Sequence, residues 1–227
     1  MDVGLLLTKT VRRVREVGLV ATLRGAARHL KRDRDRTVDN DDFDRIHGTD
    51  TATFESLWKL KIHSPNARFG NSYQATDPQE LLDAIQFINE NPRTFTFIDI
   101  GCGKGRTLLV ASKLGFKQVI GVEFARELAE IAKSNLAKMG IANAVVEHAD
   151  AADFRFPNSD IVLYLYNPFS EEVLRRVVEN LRDSHSKNLY VIYKMPICAN
   201  VFDSIGFFTR LGCPPARPNI QIWRAPS

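Results

Sequence analysis

Residues 97–106 read Phe97-Ile98-Asp99-Ile100-Gly101-Cys102-Gly103-Lys104-Gly105-Arg106. An apolar run predicts a buried strand up to residue 100, and the pattern of residues 106–114 predicts a helix that Gly115 ends. The three glycines between them tolerate positive φ and let the backbone come close to a ligand. Open α/β sheets bind ligands at the carboxyl ends of such strands. The segment therefore predicts an α/β fold with a ligand site at the glycine turn.

Helices and strands alternate through the rest of the chain from Thr76 onward. Asp77-Pro78-Gln79-Glu80 supplies a helix N-cap, a proline at the first helical position and a glutamate three residues after the cap, so a helix begins there and runs to about Asn89. Further helices are predicted over residues 126–139 and about 171–182. Strands are predicted over residues 94–100, 118–123, 144–147, 161–166, 189–194, 206–211 and 220–224. This order predicts a seven-stranded, mostly parallel sheet with helices on both faces.

The positive charge of the chain is concentrated near its beginning. The formal net charge is +4, but residues 1–36 hold ten Lys and Arg against four Asp and Glu, and the remainder holds 21 against 23. Apolar residues at helical spacing predict an N-terminal helical extension over roughly 3–30. This helix packs on its own domain or on a partner, or it contacts RNA or an anionic membrane surface. We expect a basic arm and linker at 1–44, a cap or lid segment at 45–75 and the main domain at 76–227.

Composition excludes several classes of protein. Three cysteines at unrelated spacings make no disulfide framework, and no run of about 18 apolar residues or cleavable leader is evident, so we expect a cytoplasmic protein without a transmembrane segment. His47 and His63 lack Cys or carboxylate neighbours at ligand spacing, so we expect no metal site.

Two carboxylates indicate which ligand the glycine turn binds. Asp99 precedes the first glycine of a G-x-G-x-G turn, where it would repel a pyrophosphate and attract the ammonium group of a methionine-like tail. Glu123 ends the predicted strand 118–123, a position that suits hydrogen bonds to both ribose hydroxyls. Sites for the dinucleotide NAD share the second acid but not the first. The pair therefore favours S-adenosylmethionine (SAM) over NAD.

Residues after the second and third strands suggest an adenine slot. We expect Phe124 either to lie against the adenine or to pack in the protein interior. Asp150 accepts from the adenine amino group while the amide of Ala151 addresses a ring nitrogen, or Asp150 simply caps a turn.

The segments FIDIGCGKGR (97–106), VIGVE (119–123), HAD (148–150) and YNPF (166–169), in this order, resemble the Rossmann-like class I SAM-dependent methyltransferases over roughly residues 70–195. The first segment is also similar to that of non-SET histone-lysine methyltransferases and related bacterial proteins. Residues 69–76 resemble a lid segment that closes over the methionine end through Tyr73 and Thr76. Lys104 departs from the family pattern, and we expect its side chain to point to solvent. The resemblance implies SAM-binding roles for Tyr73, Thr76, Asp99, Gly101, Cys102, Gly103, Gly105, Glu123, Phe124, Asp150, Ala151 and Asn167.

Asn167-Pro168-Phe169 is similar to the (N/D)-PP-(Y/F) signature of methyltransferases that modify planar amino nitrogens, although one proline is missing. The likeness implies that the Asn167 amide and the Pro168 carbonyl accept from the target amine while Phe169 stacks on it. An apolar pocket of Tyr164, Tyr166 and Phe169 would favour a neutral amine. The candidate catalytic residues are Asn167, Pro168, Phe169 and Tyr166.

The sequence thus predicts an enzyme that methylates an amine or other nitrogen nucleophile by in-line displacement, a reaction that needs positioning more than a strong base. A protein lysine or a small-molecule amine is the favoured acceptor. The alternatives are a nucleic-acid methyltransferase guided by the basic arm and a noncatalytic SAM-binding protein. An NAD-dependent oxidoreductase fits the glycine spacing less well.

Overall fold

The computed structural model describes residues 11, 42–184 and 187–226, so the predicted N-terminal helix and most of the predicted linker lie outside the described residues. The described chain forms one seven-stranded sheet with the strand order β3-β2-β1-β4-β5-β7-β6. The strands are β1 (Thr96–Ile100), β2 (Gln118–Glu123), β3 (Ala144–His148), β4 (Ile161–Tyr166), β5 (Leu189–Lys194), β6 (Thr209–Gly212) and β7 (Ile220–Arg224). The α-helices are α1 (Asp42–His47), α2 (Pro78–Ile88), α3 (Arg106–Lys113), α4 (Arg126–Lys138), α5 (Glu171–Arg182) and α6 (Asn200–Ile205).

The sheet reverses its strand order beside β1, and this reversal positions the site. β1 pairs in parallel with β2 on one side and with β4 on the other, while β7 is antiparallel to β5 and β6. The register sets Asp99 between Gly121 of β2 and Tyr164 of β4. A crevice opens at the carboxyl ends of parallel strands where the order reverses. The predicted seven-stranded, mostly parallel sheet is confirmed.

Both faces of the sheet are buried in apolar cores. All five residues of β1 are buried, as expected of a central parallel strand covered by helices on both sides. Ile98 and Ile100 belong to the core under α5, whereas Phe97 belongs to the core under α2 and α3. Because successive side chains of a strand point to opposite faces, the apolar run before the glycines contributes to both cores.

Helix α2 forms as its capping sequence predicts. The Asp77 side chain accepts a hydrogen bond of 3.0 Å from the Gln79 amide, and Pro78 occupies the first helical position. Asn89 ends the helix in the left-handed conformation at φ 57°. The cap fixes the point at which the chain leaves residues 69–76, the predicted lid, and enters the main domain.

Three elements, α1, α6 and β6, differ clearly from the prediction. A short helix, α6, occupies residues where no element was predicted, and it ends at Gly206 in the left-handed conformation, so β6 begins at Thr209 and not at residue 206. Helix α1 begins at Asp42, inside the predicted linker. Asp44 stabilises this turn because its carboxylate accepts from Thr49, Thr51 and Ala52 at 2.6–2.7 Å.

Candidate active site

The glycine turn between β1 and α3 is held by its own hydrogen bonds. Gly101, Gly103 and Gly105 have φ of 83°, 53° and 83°, a region that favours glycine. The amides of Gly101 and Cys102 both donate to the Val122 carbonyl, at 2.8 and 3.1 Å, and the Gly105 amide donates to Cys102 at 2.9 Å. Glycine at these positions therefore allows both the positive φ of the turn and the close approach of neighbouring groups to its backbone.

Cys102 was expected among the residues that contact the cofactor, but its side chain turns inward. The thiol is buried, and Gly121 of β2 leaves the room for it, since a Cβ built at Gly121 would lie 2.7 Å from the sulfur. Packing in the core thus takes the Cys102 side chain away from the open side of the turn. Burial also raises the pKa of this thiol.

Two buried carboxylates flank the glycine turn. Asp99 is 3% exposed and accepts a short hydrogen bond from the Thr107 hydroxyl, while Glu123 is 4% exposed and accepts from the amides of Gly103 and Ala125, each at 2.9 Å. Burial raises the pKa of each acid to about 7, and the charge of Glu123 adds to the rise at Asp99. Among residues 42–184 and 187–226 neither acid has a cationic partner. Carboxylate oxygens keep further lone pairs for a ligand.

Tyr73 of the predicted lid covers the turn. A Cβ at Gly103 would overlap the Tyr73 ring at Cδ2 and Cε2, so this side of the ring lies directly against the glycine. The Tyr73 hydroxyl donates to the Thr51 carbonyl at 2.6 Å, and burial raises its pKa. The hydroxyls of Thr76 and Tyr164 are hydrogen-bonded at 2.9 Å. Both lid residues singled out by the sequence therefore lie over the carboxyl ends of the central strands.

The segment Phe69–Asn71 pairs with the loop that follows β4. Gly70 forms an antiparallel bridge with Phe169, the Asn71 amide donates to Pro168 at 2.8 Å, and the Ser170 amide donates to Phe69 at 3.1 Å. Pro168 in turn lies on the glycine turn, because a Cβ at Gly101 would come within 2.8 Å of the proline ring. Lid, glycine turn and candidate acceptor loop therefore form one contiguous surface.

The acceptor cradle implied by the resemblance is not open in this structure. The Pro168 carbonyl accepts from Asn71, and the side-chain oxygen of Asn167 accepts from the Tyr193 hydroxyl at 3.3 Å. Asn167 itself has φ 38°, and its backbone carbonyl accepts from the Asn71 side chain at 2.6 Å. Pairing of the loop with the lid therefore engages the acceptor groups that a target amine was expected to use.

The three aromatic residues expected to line one pocket lie on two sides of the sheet. Tyr164 and Tyr166 face the core that contains Phe97, and Phe169 is buried in the opposite core. Residues 164 and 166 share a face because side chains of a strand alternate, and the chain turns to the other face after β4. The Tyr166 ring instead packs under the Lys194 ammonium, 3.9 Å from the ring centre. The predicted three-ring pocket is not assembled.

The adenine-slot candidates also contact the lid and its surroundings. Phe124 packs on Gly70, where an added Cβ would lie 2.6 Å from the ring. Asp150 caps the 3-10 turn Ala151–Asp153, accepting from the Ala152 amide at 2.9 Å. It also accepts from the side chains of Ser64 and Asn66. The turn-capping alternative for Asp150 is thus observed, and Ala151 opens that turn.

Lys104 does not point to solvent, so that expectation was wrong. Its side chain is 2% exposed, with the ammonium 3.0 Å from Asp50 and 3.3 Å from Glu55. Sequence reasoning missed Asp50 and Glu55 because the predicted cap has no recognisable motif. It missed Thr107, the partner of Asp99, because helix α3 has no motif of its own. The available signal was the polar stretch Gly48-Thr49-Asp50-Thr51, whose hydroxyl and carboxylate side chains indicate a polar network.

Within the described part of the chain, no group of three His, Cys, Asp or Glu side chains is placed to hold a metal ion. None of the helices in that part is both long enough and apolar enough to cross a bilayer.

Comparisons with known proteins find matches to the central region of the chain. Residues 97–187 match the family model described as "Methyltransferase domain". A ribosomal protein L11 methyltransferase of Thermotoga neapolitana is 27% identical over 57% of this chain and 47% of its own length. The enzyme of the same name from Clostridium perfringens (strain SM101 / Type A) is 38% identical over 41% of this chain and 30% of its own. The chain therefore spans less than half the length of these curated relatives.

A solved structure shares the fold. A SAM-dependent methyltransferase from Aquifex aeolicus superposes with a TM-score of 0.50 at 16% identity, covering 66% of this chain and 88% of that one. At this identity the match supports the Rossmann-like architecture, in agreement with the strand order described above.

Proposed function

We propose that this chain transfers a methyl group from SAM to a nitrogen nucleophile. The match of residues 97–187 to the methyltransferase family model and the Rossmann-like fold support this proposal. The resemblance seen in the sequence is confirmed at the level of the domain. The activity of the whole protein remains our proposal, since the curated relatives match over less than half of their length.

The observation that carries the proposal is the pair of buried acids beside the glycine turn. Asp99 and Glu123 are almost inaccessible, their pKa values are raised to about 7, and no cation of the described residues neutralises them. A buried carboxylate without a cationic partner is costly, and a cationic ligand removes that cost. SAM fits this requirement through its ammonium and sulfonium groups, whereas a pyrophosphate would add negative charge.

The roles of the side chains follow from their positions. When bound, SAM supplies a methyl group activated by its sulfonium. Asp99 would hold the amino-acid tail, Glu123 the ribose hydroxyls, and Tyr73 would exclude water above the glycine turn. No group among these is placed as a strong base, and displacement at an activated carbon needs chiefly orientation and desolvation.

The acceptor is proposed to be an amine, with a protein lysine ahead of a small molecule. Two matching proteins are named as methyltransferases of a ribosomal protein, which supports a protein substrate. Asn167 lies at the end of β4 with its side-chain oxygen bound only weakly, at 3.3 Å from Tyr193, so an incoming amine can replace that hydrogen bond once the Asn71 contacts are released. A cytoplasmic location stays a prediction.

The site assignment is tested by calorimetry with SAM. Asp99→Ala and Glu123→Ala should each abolish measurable binding, while Glu130→Ala, on the exposed face of α4, should bind as the wild type does. Asn167→Gly keeps the positive φ and should retain SAM affinity while turnover falls. Undiminished affinity in both acid variants, or a thermal shift with NADH and none with SAM, would contradict the assignment.

The acceptor class is tested by transfer of a tritiated methyl group into fractionated host extract. We expect label in the protein pool, released as methyl-lysine on hydrolysis. Label in RNA would support the nucleic-acid alternative, and label in no pool despite SAM binding would support a noncatalytic SAM-binding protein.

A further inference from the structure

Two basic side chains of the segment that carries the glycine turn contact the cap segment, residues 45–75. Lys104 and Arg106 are 2% and 6% exposed. Long cationic side chains are rarely buried so deeply unless they are paired. Their partners show how the cap segment is fastened to the turn.

Lys104 binds the two ends of a short stretch of the cap segment. Its ammonium contacts Asp50 at 3.0 Å and Glu55 at 3.3 Å. Asn135 of α4 fixes the same place: its side chain accepts from the Asp50 amide at 3.0 Å and donates to the carbonyls of Asp50 and Lys104 at 2.9 and 3.0 Å. Residues 50–55 are therefore tied directly to the backbone of the glycine turn.

Arg106 adds a second attachment through Thr51. Its Nε donates to the Thr51 hydroxyl at 2.7 Å, and that hydroxyl donates to Asp44 at 2.6 Å. Thr51 is fully buried, so these hydrogen bonds are shielded from water. The position of the Thr51 backbone is consequently well determined.

The stretch 51–55 in turn determines where Tyr73 lies. The Thr51 carbonyl accepts from the Tyr73 hydroxyl at 2.6 Å, and Glu55 and Tyr73 exchange backbone hydrogen bonds of 2.9 and 3.3 Å. Tyr73 is thus held at its hydroxyl and at its backbone while its ring lies against Gly103. Its backbone is bound to Glu55, a partner of Lys104, and its hydroxyl is bound to Thr51, the residue next to the other partner, Asp50.

We propose that Lys104 is a positioning residue, which acts through Asp50 and Glu55 to hold Tyr73 over the glycine turn and so lets the site discriminate ligands that carry an amino-acid tail. This inference rests on the proposed function, because the tail is that of SAM. Burial and the nearby charge of Asp99 both raise the pKa of the Tyr73 hydroxyl, so Tyr73 lies near the acid to which we assign the tail. Its displacement should therefore weaken binding of the tail more than binding of the adenosine.

The test compares two ligands that differ in the tail. S-Adenosylhomocysteine carries the amino-acid tail, and 5′-methylthioadenosine keeps the adenosine without it. In Lys104→Met the Kd of S-adenosylhomocysteine should rise about tenfold, as expected when a packed aromatic ring is released, while that of 5′-methylthioadenosine should stay within about twofold. Lys133→Met, which removes a half-exposed lysine from α4, should change neither.

Separate outcomes distinguish the two proposals. A wild-type protein that binds neither ligand would overturn the proposed function. If the wild type binds both, an equal loss for both ligands in Lys104→Met, or no loss, would overturn the positioning role. Should Lys104→Met fail to fold, Glu55→Gln removes one of the two carboxylates that Lys104 holds, and a loss confined to the tailed ligand is again expected.

Discussion

Asp99 and Glu123 lie at the carboxyl ends of neighbouring strands, and both have a pKa raised to about 7 chiefly by burial. The ordinary values are 3.8 for Asp and 4.5 for Glu. Between these values and pH 7 the folded protein retains protons that the unfolded chain releases. The ligand-free site is therefore sensitive to pH in a range where most surface acids are fully ionised.

The free energy of unfolding of the ligand-free protein should fall as the pH rises from about 4 to about 7, because the folded state then holds more protons than the unfolded state. Asp99→Asn should flatten this slope, since its amide does not ionise. Urea unfolding at pH 5 and pH 7.5 measures the difference. A variant that keeps the full wild-type slope would contradict the assigned pKa of Asp99.

A methyl group at Gly103 should impair the site more than a methyl group elsewhere. Gly103→Ala and Gly140→Ala both place alanine at positive φ, 53° and 61°, at a cost of about 1 kcal/mol each. Only at position 103 does the Cβ meet the Tyr73 ring, whereas nothing lies within 4 Å at position 140. Calorimetry should show weaker SAM binding for the first variant and wild-type binding for the second. Equal affinities would show that Tyr73 moves freely.

At the scale of elements, an ion pair buried between α2 and β5 fixes the helix that follows the lid. Glu80 in the first turn of α2 and Lys194 at the end of β5 are about 90% buried and in contact, and Asn219 donates to the same carboxylate at 3.2 Å. Burial lowers the pKa of Lys194 and Glu80 opposes that effect. The charged state of Lys194 in the folded protein therefore depends on its contact with Glu80.

Glu80→Gln should destabilise the protein by about 3 kcal/mol, because the Lys194 ammonium stays buried without its counter-charge. Combining Glu80→Gln with Lys194→Met should recover most of that loss. Glu171→Gln, which breaks a half-exposed pair with Arg175, should change stability little. Chemical denaturation measures all three. Additive losses in the double variant would show that the two side chains do not depend on each other.

The elements that the sequence predicted best are those with long apolar patterns between glycines or caps. Strands β2, β4, β5 and β7 and helix α5 have the predicted bounds. Helix α6 escaped prediction because its six residues are too few to show a helical period. The sequence could place Asp99, Glu123 and the glycines beside one another because strand ends and glycine turns are local patterns, and their cofactor-binding roles stay a prediction. Lys104 was misplaced because its partners are 49 to 54 residues away in the chain.

At the scale of the whole molecule, the residues to which the sequence assigns cofactor or acceptor binding lie between positions 73 and 169, whereas the positive charge of the chain is concentrated before position 37. We therefore expect a chain lacking residues 1–36 to bind SAM with the wild-type Kd in calorimetry. A higher Kd would indicate that the basic arm, residues 1–36, contributes to the site. Binding of RNA by the full chain alone, falling steeply with salt, would instead assign the arm to nucleic acid.

The bridge between the lid and the loop after β4 joins residues far apart in sequence, with Asn71 and Asn167 separated by 96 positions. During synthesis, the earlier segment leaves the ribosome well before its partner exists. It stays exposed to solvent until β4 and the following loop have been translated, since chains emerge from their N-terminus. The lid can thus take up its final contacts only after residue 170 has been made, although its own residues are translated before any strand of the sheet.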